Sequence, residues 1–275
     1  MSKNGVKIDN SQIHIVFNSK EDYRITIPIL NHLPHKLYYF TAYIKSTNQK
    51  DENMEYFHLN TELLKEKIPN ILIIQNEIDY TDYIEIIQGI SKIIRTERKI
   101  NPKSKIMINI GTGSNITALA STEAARLWNC DVYYVYSTKY NPIAEGPLHQ
   151  GEMIIICPPI FPIIKPQEIL IKVLKILHKT IKNKYSDKET QFPIKFIYKK
   201  EFIEILIEKG FLKLQKEHYD LRSRQSSYYM KVNKRFLEPL ANELGYIEIS
   251  KDKRNKKIFI TEKGKNILEI FRYLI

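Results

Sequence analysis

Cysteine is almost missing from this chain, with two in 275 residues, and Cys130 and Cys157 have no metal-ligand spacing. That excludes a disulfide framework and a thiolate zinc site. Tryptophan occurs once and glycine only nine times. No apolar run is long enough for a bilayer: the greasiest stretch, "MIIICPPIFPII" (153–164), is broken by prolines. The opening "MSKNGVKIDNSQ" is polar and lacks the apolar core of a signal peptide. The expectation is a cytoplasmic protein that meets no membrane. The seven histidines show no paired spacing, and His14 and His178 lie in apolar stretches. No HExxH, GxSxG or Cys–His arrangement occurs, so no metal and no hydrolytic enzyme is expected.

Acidic residues are scarce in one part only. The formal net charge is +12. Residues 1–165 carry 18 Lys and Arg against 17 Asp and Glu, whereas residues 166–275 carry 25 against 14. A lysine bias of the whole genome would act on both halves, so the asymmetry points to a polyanion-binding module joined to something neutral.

The first half alternates strand-like and helix-like stretches. "IHIVF" (13–17), "KLYYF" (36–40), "NILIIQ" (70–75), "KIMINI" (105–110), "DVYYVY" (131–136) and "EMIIIC" (152–157) read as strands. Between them, Tyr83, Ile86, Ile87, Ile90, Ile93 and Ile94 recur at helical spacing, and 114–128 is a helix of small residues. This is the grammar of an α/β fold with a mostly parallel, Rossmann-like sheet. "CPPIFPIIKP" (157–166) then brings four prolines within ten residues, which places a domain boundary near 166. Beyond it come helices at 166–183, 198–210 and 225–246, a basic hairpin at 247–261 and a closing helix at 262–274. Helices, basic hairpin and closing helix are the plan of a winged helix-turn-helix. The expected domains are therefore 1–165 and 166–275.

Two of the nine glycines stand one residue apart in "INIGTGSNITALAS" (108–121). Such a turn can be simple punctuation, with glycine for a positive φ and Ser or Asn as a cap. It satisfies neither a dinucleotide fingerprint nor a P-loop. Its position after a central strand argues for more, because open α/β sheets bind ligands at the carboxyl ends of their strands. Gly111 and Gly113 would let backbone N–H groups approach a phosphate, with Thr112, Ser114, Asn115 and Thr117 as further donors. The loop after the first strand opens on the same edge, bringing Asn18 and Ser19, with Arg24, toward the same ligand.

The spacing of "IHIVFNSKEDYRITIPI", "KLYYF", "KIMINIGTGSNITALASTEAARLW" and "VYYVYSTKYNP" resembles the CARF domain, the Rossmann-like ligand sensor of CRISPR-associated proteins. With a winged helix behind it, the whole chain resembles the archaeal CARF–winged-helix transcriptional regulators. The resemblance implies a homodimer whose paired glycine loops bind a cyclic oligoadenylate, here cyclic tetra-adenylate, as effector rather than cofactor. Carried over, Gly111, Thr112, Gly113, Ser114, Asn115 and Thr117 line that pocket. Some sensors of this fold cleave their own ligand, and Ser114, Thr117 and Lys139 are available for such a ring nuclease. A nucleotide-responsive regulator outside CRISPR defence is a further alternative.

For double-stranded DNA, "LRSRQSSYYMKVNKR" (221–235) offers Arg222, Arg224, Ser226, Ser227, Tyr228, Lys231, Lys234 and Arg235. The hairpin adds Lys253, Arg254 and Lys256. A charge run is often only a solvated face; the combined footprint favours phosphate and base contact. Pro239 falls inside the recognition helix and should clash with the carbonyl of Arg235.

Overall fold

The computed structural model describes residues 12–160, 166–185, 195–212, 221–252 and 254–273. The chain divides into two compact units, one up to residue 164 and the other from residue 165.

In the first unit, five strands run parallel in the order β4 (Leu72–Ile78), β2 (Lys36–Ile44), β1 (Gln12–Phe17), β5 (Lys105–Asn109), β6 (Asp131–Tyr140). A two-residue strand, β3 (Gln49–Lys50), pairs antiparallel with the end of β2. At the other edge, β7 (His149–Ile156) returns antiparallel along β6. The last strand pair is thus a hairpin, not a crossover. A parallel return would need a helix, and the segment 141–148 supplies none.

β1 sits between two neighbours and is buried on both faces from Ile13 to Phe17, as a central parallel strand must be. Val16, Leu37 and Tyr39 face one side, packing with Ile25 and Ile29 of α1 (Asp22–His32) and with Phe57 and Leu64 of α2 (Met54–Lys67). The other side is covered by α3 (Tyr83–Ile100) and α4 (Asn115–Trp128). The apolar stripe of α3 is buried at Ile86, Ile87, Ile90, Ile93 and Ile94, and its first turn is capped by Asp82, which accepts from Glu85 N. In α4, Ala120, Ala124 and Ala125 are fully buried, so the helix lies close to its neighbours.

Strand order reverses between β1 and β5. β1, β2 and β4 proceed one way, β5, β6 and β7 the other. The loops after β1 and β5 therefore flank the crevice where ligands of open α/β sheets bind.

The second unit begins with α5 (Glu168–Lys184), followed by β8 (Ile197–Tyr198), α6 (Lys199–Glu208) and α7 (Leu221–Val232). β9 (Ile247–Ile249) and β10 (Lys257–Ile260) form the hairpin, and α8 (Glu262–Ile270) closes the unit. The three strands pair antiparallel in the order β8-β10-β9, a winged-helix sheet. Two residues are too few for a periodic signal, so β8 is not visible in the sequence. Phe202, Ile203, Leu206, Val232, Phe236, Leu237 and Leu240 are fully buried and form its core.

Pro239 is accommodated without the expected clash. The helix continues from α7 through two π-helical turns, Asn233–Leu237 and Pro239–Glu243. Glu238 N donates to Asn233 O and Leu244 N to Pro239 O. These i→i+5 bonds widen the helix where an α-helical turn would drive the proline ring into the Arg235 carbonyl.

Candidate functional site

β5 ends at Asn109 and the chain turns through Gly111, Thr112 and Gly113 into α4. Ser114 is the N-cap, accepting from Thr117 N at 3.1 Å, while its own hydroxyl donates to Tyr80 O at 3.1 Å. Thr117 donates to Ser114 O at 2.6 Å. The turn is thus fastened to α4 and to the loop after β4.

The two glycines are there for different reasons. Gly113 has φ +83°, and a Cβ on it would lie 2.5 Å from Thr117 Oγ1 and 2.8 Å from Phe17 Cβ. Gly111 has an ordinary φ, but a Cβ there would lie 3.0 Å from Val135 N and 3.1 Å from Arg24 Nη2. The first needs a conformation and the second needs space.

Of the residues expected at a ligand, Gly113 and Asn115 are exposed, while Gly111, Ser114 and Ser19 are half-buried. Thr112 is buried and its hydroxyl has no hydrogen-bond partner among the described residues. Thr117 is fully buried and Asn18 nearly so. The Asn18 amide donates to Asp51 Oδ2 at 2.9 Å and Asn53 O at 2.8 Å, and its oxygen accepts from Tyr39 at 3.2 Å. Ser19 accepts from Glu21 N at 3.2 Å. Asn18 and Thr117 therefore shape the two loops from within, and the open face of the turn belongs to Gly113, Ser114 and Asn115.

Three groups here carry no sequence signal. The Tyr80 hydroxyl lies 2.8 Å from Phe40 O and 3.2 Å from Asn18 O, and burial pushes its pKa well up, so it stays a neutral donor. Asp51 also accepts from Ala42 N. Asn109 accepts from Gly111 N at 2.8 Å and donates to Arg24 O at 3.0 Å. They come from three different loops or strands, and only folding brings them together.

On β6 and β7, Tyr134 pairs with Ile156 and Tyr136 with Ile154. All four are exposed. The Tyr133 ring lies 6.2 Å from that of His32 on α1, so alternation places this quartet on the opposite face, the side of α4. Ile116 and Leu119 of α4 are exposed as well.

In the second unit, α7 and its continuation bury Val232, Phe236 and Leu240 and expose Ser227, Lys231, Lys234 and Arg235. Tyr228 is half-buried. Tyr229, beside it, donates to Glu204 at 3.1 Å, and burial together with that carboxylate pushes its pKa up to about 12. Arg254 and Lys256 are exposed in the turn of the hairpin. None of the ion pairs among the described residues engages Lys231, Lys234, Arg235, Arg254 or Lys256. Partial burial, and then the charge of Lys256, lower the pKa of Lys199. Arg222, Arg224 and Ser226 lie on α7, but their side chains, like Lys253, are outside the described residues.

Among the described residues no three metal-ligating side chains gather, and no helix is long and apolar enough to cross a membrane.

Residues 170–272 match the family model of the DUF6293 C-terminal winged helix domain, and residues 12–140 match the HFX_2341_N-like N-terminal model. No curated protein matches the chain. Among solved structures, Can2 from Sulfobacillus thermosulfidooxidans, in complex with cyclic tetra-adenylate, is 13% identical with a TM-score of 0.38. That match covers 96% of this chain and 64% of Can2. Enterococcus italicus Csm6, bound to cyclic hexa-2'-fluoro-hexa-dAMP, is 10% identical with a TM-score of 0.42, covering 96% and 76%. Protein VC1899 from Vibrio cholerae is 12% identical with a TM-score of 0.37, covering 96% and 65%. The chain thus spans less than two thirds of Can2 and of VC1899, and likeness at this level carries no argument about a ligand.

Proposed function

Taking as premise a chain that carries a DUF6293 winged helix behind an HFX_2341_N-like N-terminal domain, we propose that it is a DNA-binding transcriptional regulator controlled by a cyclic oligoadenylate. One observation carries the reading. The same chain holds a glycine turn at the switch point of a parallel sheet and a winged helix whose exposed basic side chains have no ion-pair partner among the described residues. The turn offers backbone N–H groups and the start of α4 to a phosphate. Lys231, Lys234, Arg235, Arg254 and Lys256 offer charge to a duplex. Cyclic tetra-adenylate as ligand comes from the sequence resemblance of residues 108–121, and regulation in CRISPR defence comes with it.

The working form is a homodimer in the cytoplasm. Paired half-sites on DNA call for paired modules. The exposed Ile116, Leu119, Tyr134, Tyr136, Ile154 and Ile156 supply an apolar surface for a second copy.

The protein acts as a sensor and not as an enzyme. The hydroxyls of Ser114 and Thr117 donate to Tyr80 O and Ser114 O, which commits both to holding the turn rather than promoting attack by a ribose 2′-hydroxyl, and Lys139 is exposed on β6. Gel-shift binding to the protein's own promoter, with and without cyclic tetra- and hexa-adenylate, is the test. A ligand-dependent change of roughly 5- to 150-fold in affinity is expected for a coupled sensor. No binding to duplex DNA would overturn the regulator, and linear products from cyclic tetra-adenylate would replace it with a ring nuclease.

A further inference from the structure

Arg24 is 6% exposed. A guanidinium stays protonated in proteins, and burying its charge is costly unless it is paired. Here the pairing is incomplete. Nε donates to Val135 O at 2.9 Å, Nη1 lies 3.5 Å from His149 Nδ1, and the Tyr134 ring lies 4.9 Å from Cζ. Nη2 has no hydrogen-bond partner among the described residues, and no carboxylate there lies within ion-pair distance of the group.

The nearby acid is committed elsewhere. Glu21 is buried and accepts from Leu148 N at 3.3 Å and His149 N at 3.1 Å, and its Oε1 lies 3.1 Å from His149 Nδ1. One imidazole nitrogen thus faces both Glu21 and Arg24, and it cannot donate to one while accepting from the other. When the proton is on Nδ1 it serves Glu21, and Arg24 loses its contact at Nη1 as well.

The unpartnered edge of Arg24 lies against the glycine turn. Nη2 is 3.1 Å from where a Cβ of Gly111 would stand, tighter than an ordinary contact, so a side chain there would push the guanidinium back by a few tenths of an ångström. The unpartnered Thr112 hydroxyl belongs to the same turn. Arg24 therefore reaches, from α1, the carboxyl end of β5 and the middle of β6, beside the turn that opens at Gly113.

We infer that Arg24 is a phosphate-binding residue of the glycine turn, held ready by Val135 and His149, and that the missing side chain of Gly111 gives it room. Nη2, joined by Nη1 when the Nδ1 proton of His149 turns to Glu21, presents a planar fork that matches two oxygens of a phosphodiester. The inference rests on the ligand-sensor reading for the identity of the ligand, while the anion site itself rests on this geometry.

The test uses the full chain and two probes, cyclic tetra-adenylate and inorganic pyrophosphate. By calorimetry, Arg24→Gln should weaken cyclic tetra-adenylate at least tenfold and Arg24→Lys by less, because charge survives without the fork. Gly111→Ala should also weaken binding, while Gly146→Ala, which has open space around its Cβ, should not. In the wild type, the Arg24 Nε–H resonance, identified by its loss in Arg24→Lys, should shift on saturation; this readout does not depend on a variant folding. Wild-type affinity in Arg24→Gln, or an unmoved resonance with ligand bound, overturns the inference. Should cyclic tetra-adenylate not bind the wild type at all, the sensor reading fails alone. The anion site then stands if pyrophosphate shifts the same resonance and falls if it does not.

Discussion

Replacing Gly113 with alanine adds one methyl group at the tightest point of the turn. Its φ of +83° lies where an L-residue costs about 1–2 kcal/mol. The new Cβ would meet Thr117 Oγ1 at 2.5 Å and Phe17 Cβ at 2.8 Å. Neither neighbour can retreat easily. Thr117 is fully buried and bonded to Ser114 O, and Phe17 stacks on Phe40 at 5.1 Å with its edge toward Tyr80. Overpacking of this kind costs about 1–3 kcal/mol, so the substitution should destabilise by about 2–5 kcal/mol. At about 2–4 °C per kcal/mol for a unit of this size, calorimetry of the full chain should show Tm falling by about 4–20 °C. Removing one side of the clash gives a second reading. Thr117→Ala should cost about 1 kcal/mol less in the Gly113→Ala background than in the wild type, the sign expected for touching groups. Melting of Gly113→Ala within about 2 °C of the wild type would refute both the clash and the strained backbone.

Lys231, Lys234 and Arg235 changed together to alanine should weaken duplex binding for all sequences alike. The slope of log K against log salt should fall by up to about 0.9 per lost phosphate contact; fluorescence anisotropy between about 50 and 200 mM salt checks it, and an unchanged slope removes this face from the interface. His14 is fully buried, with Gln12 Nε2 and the Tyr133 hydroxyl at its two ring nitrogens. Burial, then the nearby His32 and Lys105, push its pKa down to about 3. The unfolded chain protonates this histidine first, so its contribution is complete above about pH 6.5 and is lost as pH falls toward 3. At pH 5 the loss is about 2 kcal/mol, and urea titrations of wild type and His14→Gln should converge by that amount between pH 7 and 5; parallel curves would sink the assignment. Glu97 is buried against Lys36, with Nζ–Oε1 at 2.9 Å, and accepts from Tyr38. Glu97→Leu should cost about 3–5 kcal/mol by stranding the lysine, with most of it recovered in the Lys36→Met/Glu97→Leu double variant. A double variant no more stable than the single one would show that the loss is packing alone.

Repeating apolar residues were enough to read the strands from Ile13, Lys36, Lys105 and Asp131, the helix of Ile86 to Ile94, and the two-unit plan with its basic second half. Each depends on local periodicity or on charge counted along the chain, which sequence carries directly. The capping role of Ser114 was legible for the same reason, since a cap acts within one turn. Which donors face outward was not. Asn18 and Thr117 have the right chemistry for a ligand, yet the fold turns both inward, because Asp51, Asn53, Tyr39 and Ser114 satisfy them first. The antiparallel return of β7 and the widening of the helix at Pro239 likewise depended on which partners were available in space. Gly111 states the difference most plainly. Its sequence neighbours suggest a turn that needs a special φ, but its φ is ordinary, and what would crowd a side chain there is a guanidinium from residue 24 and a backbone nitrogen from residue 135. Contacts between residues so far apart in the chain exist only once the sheet has closed around them.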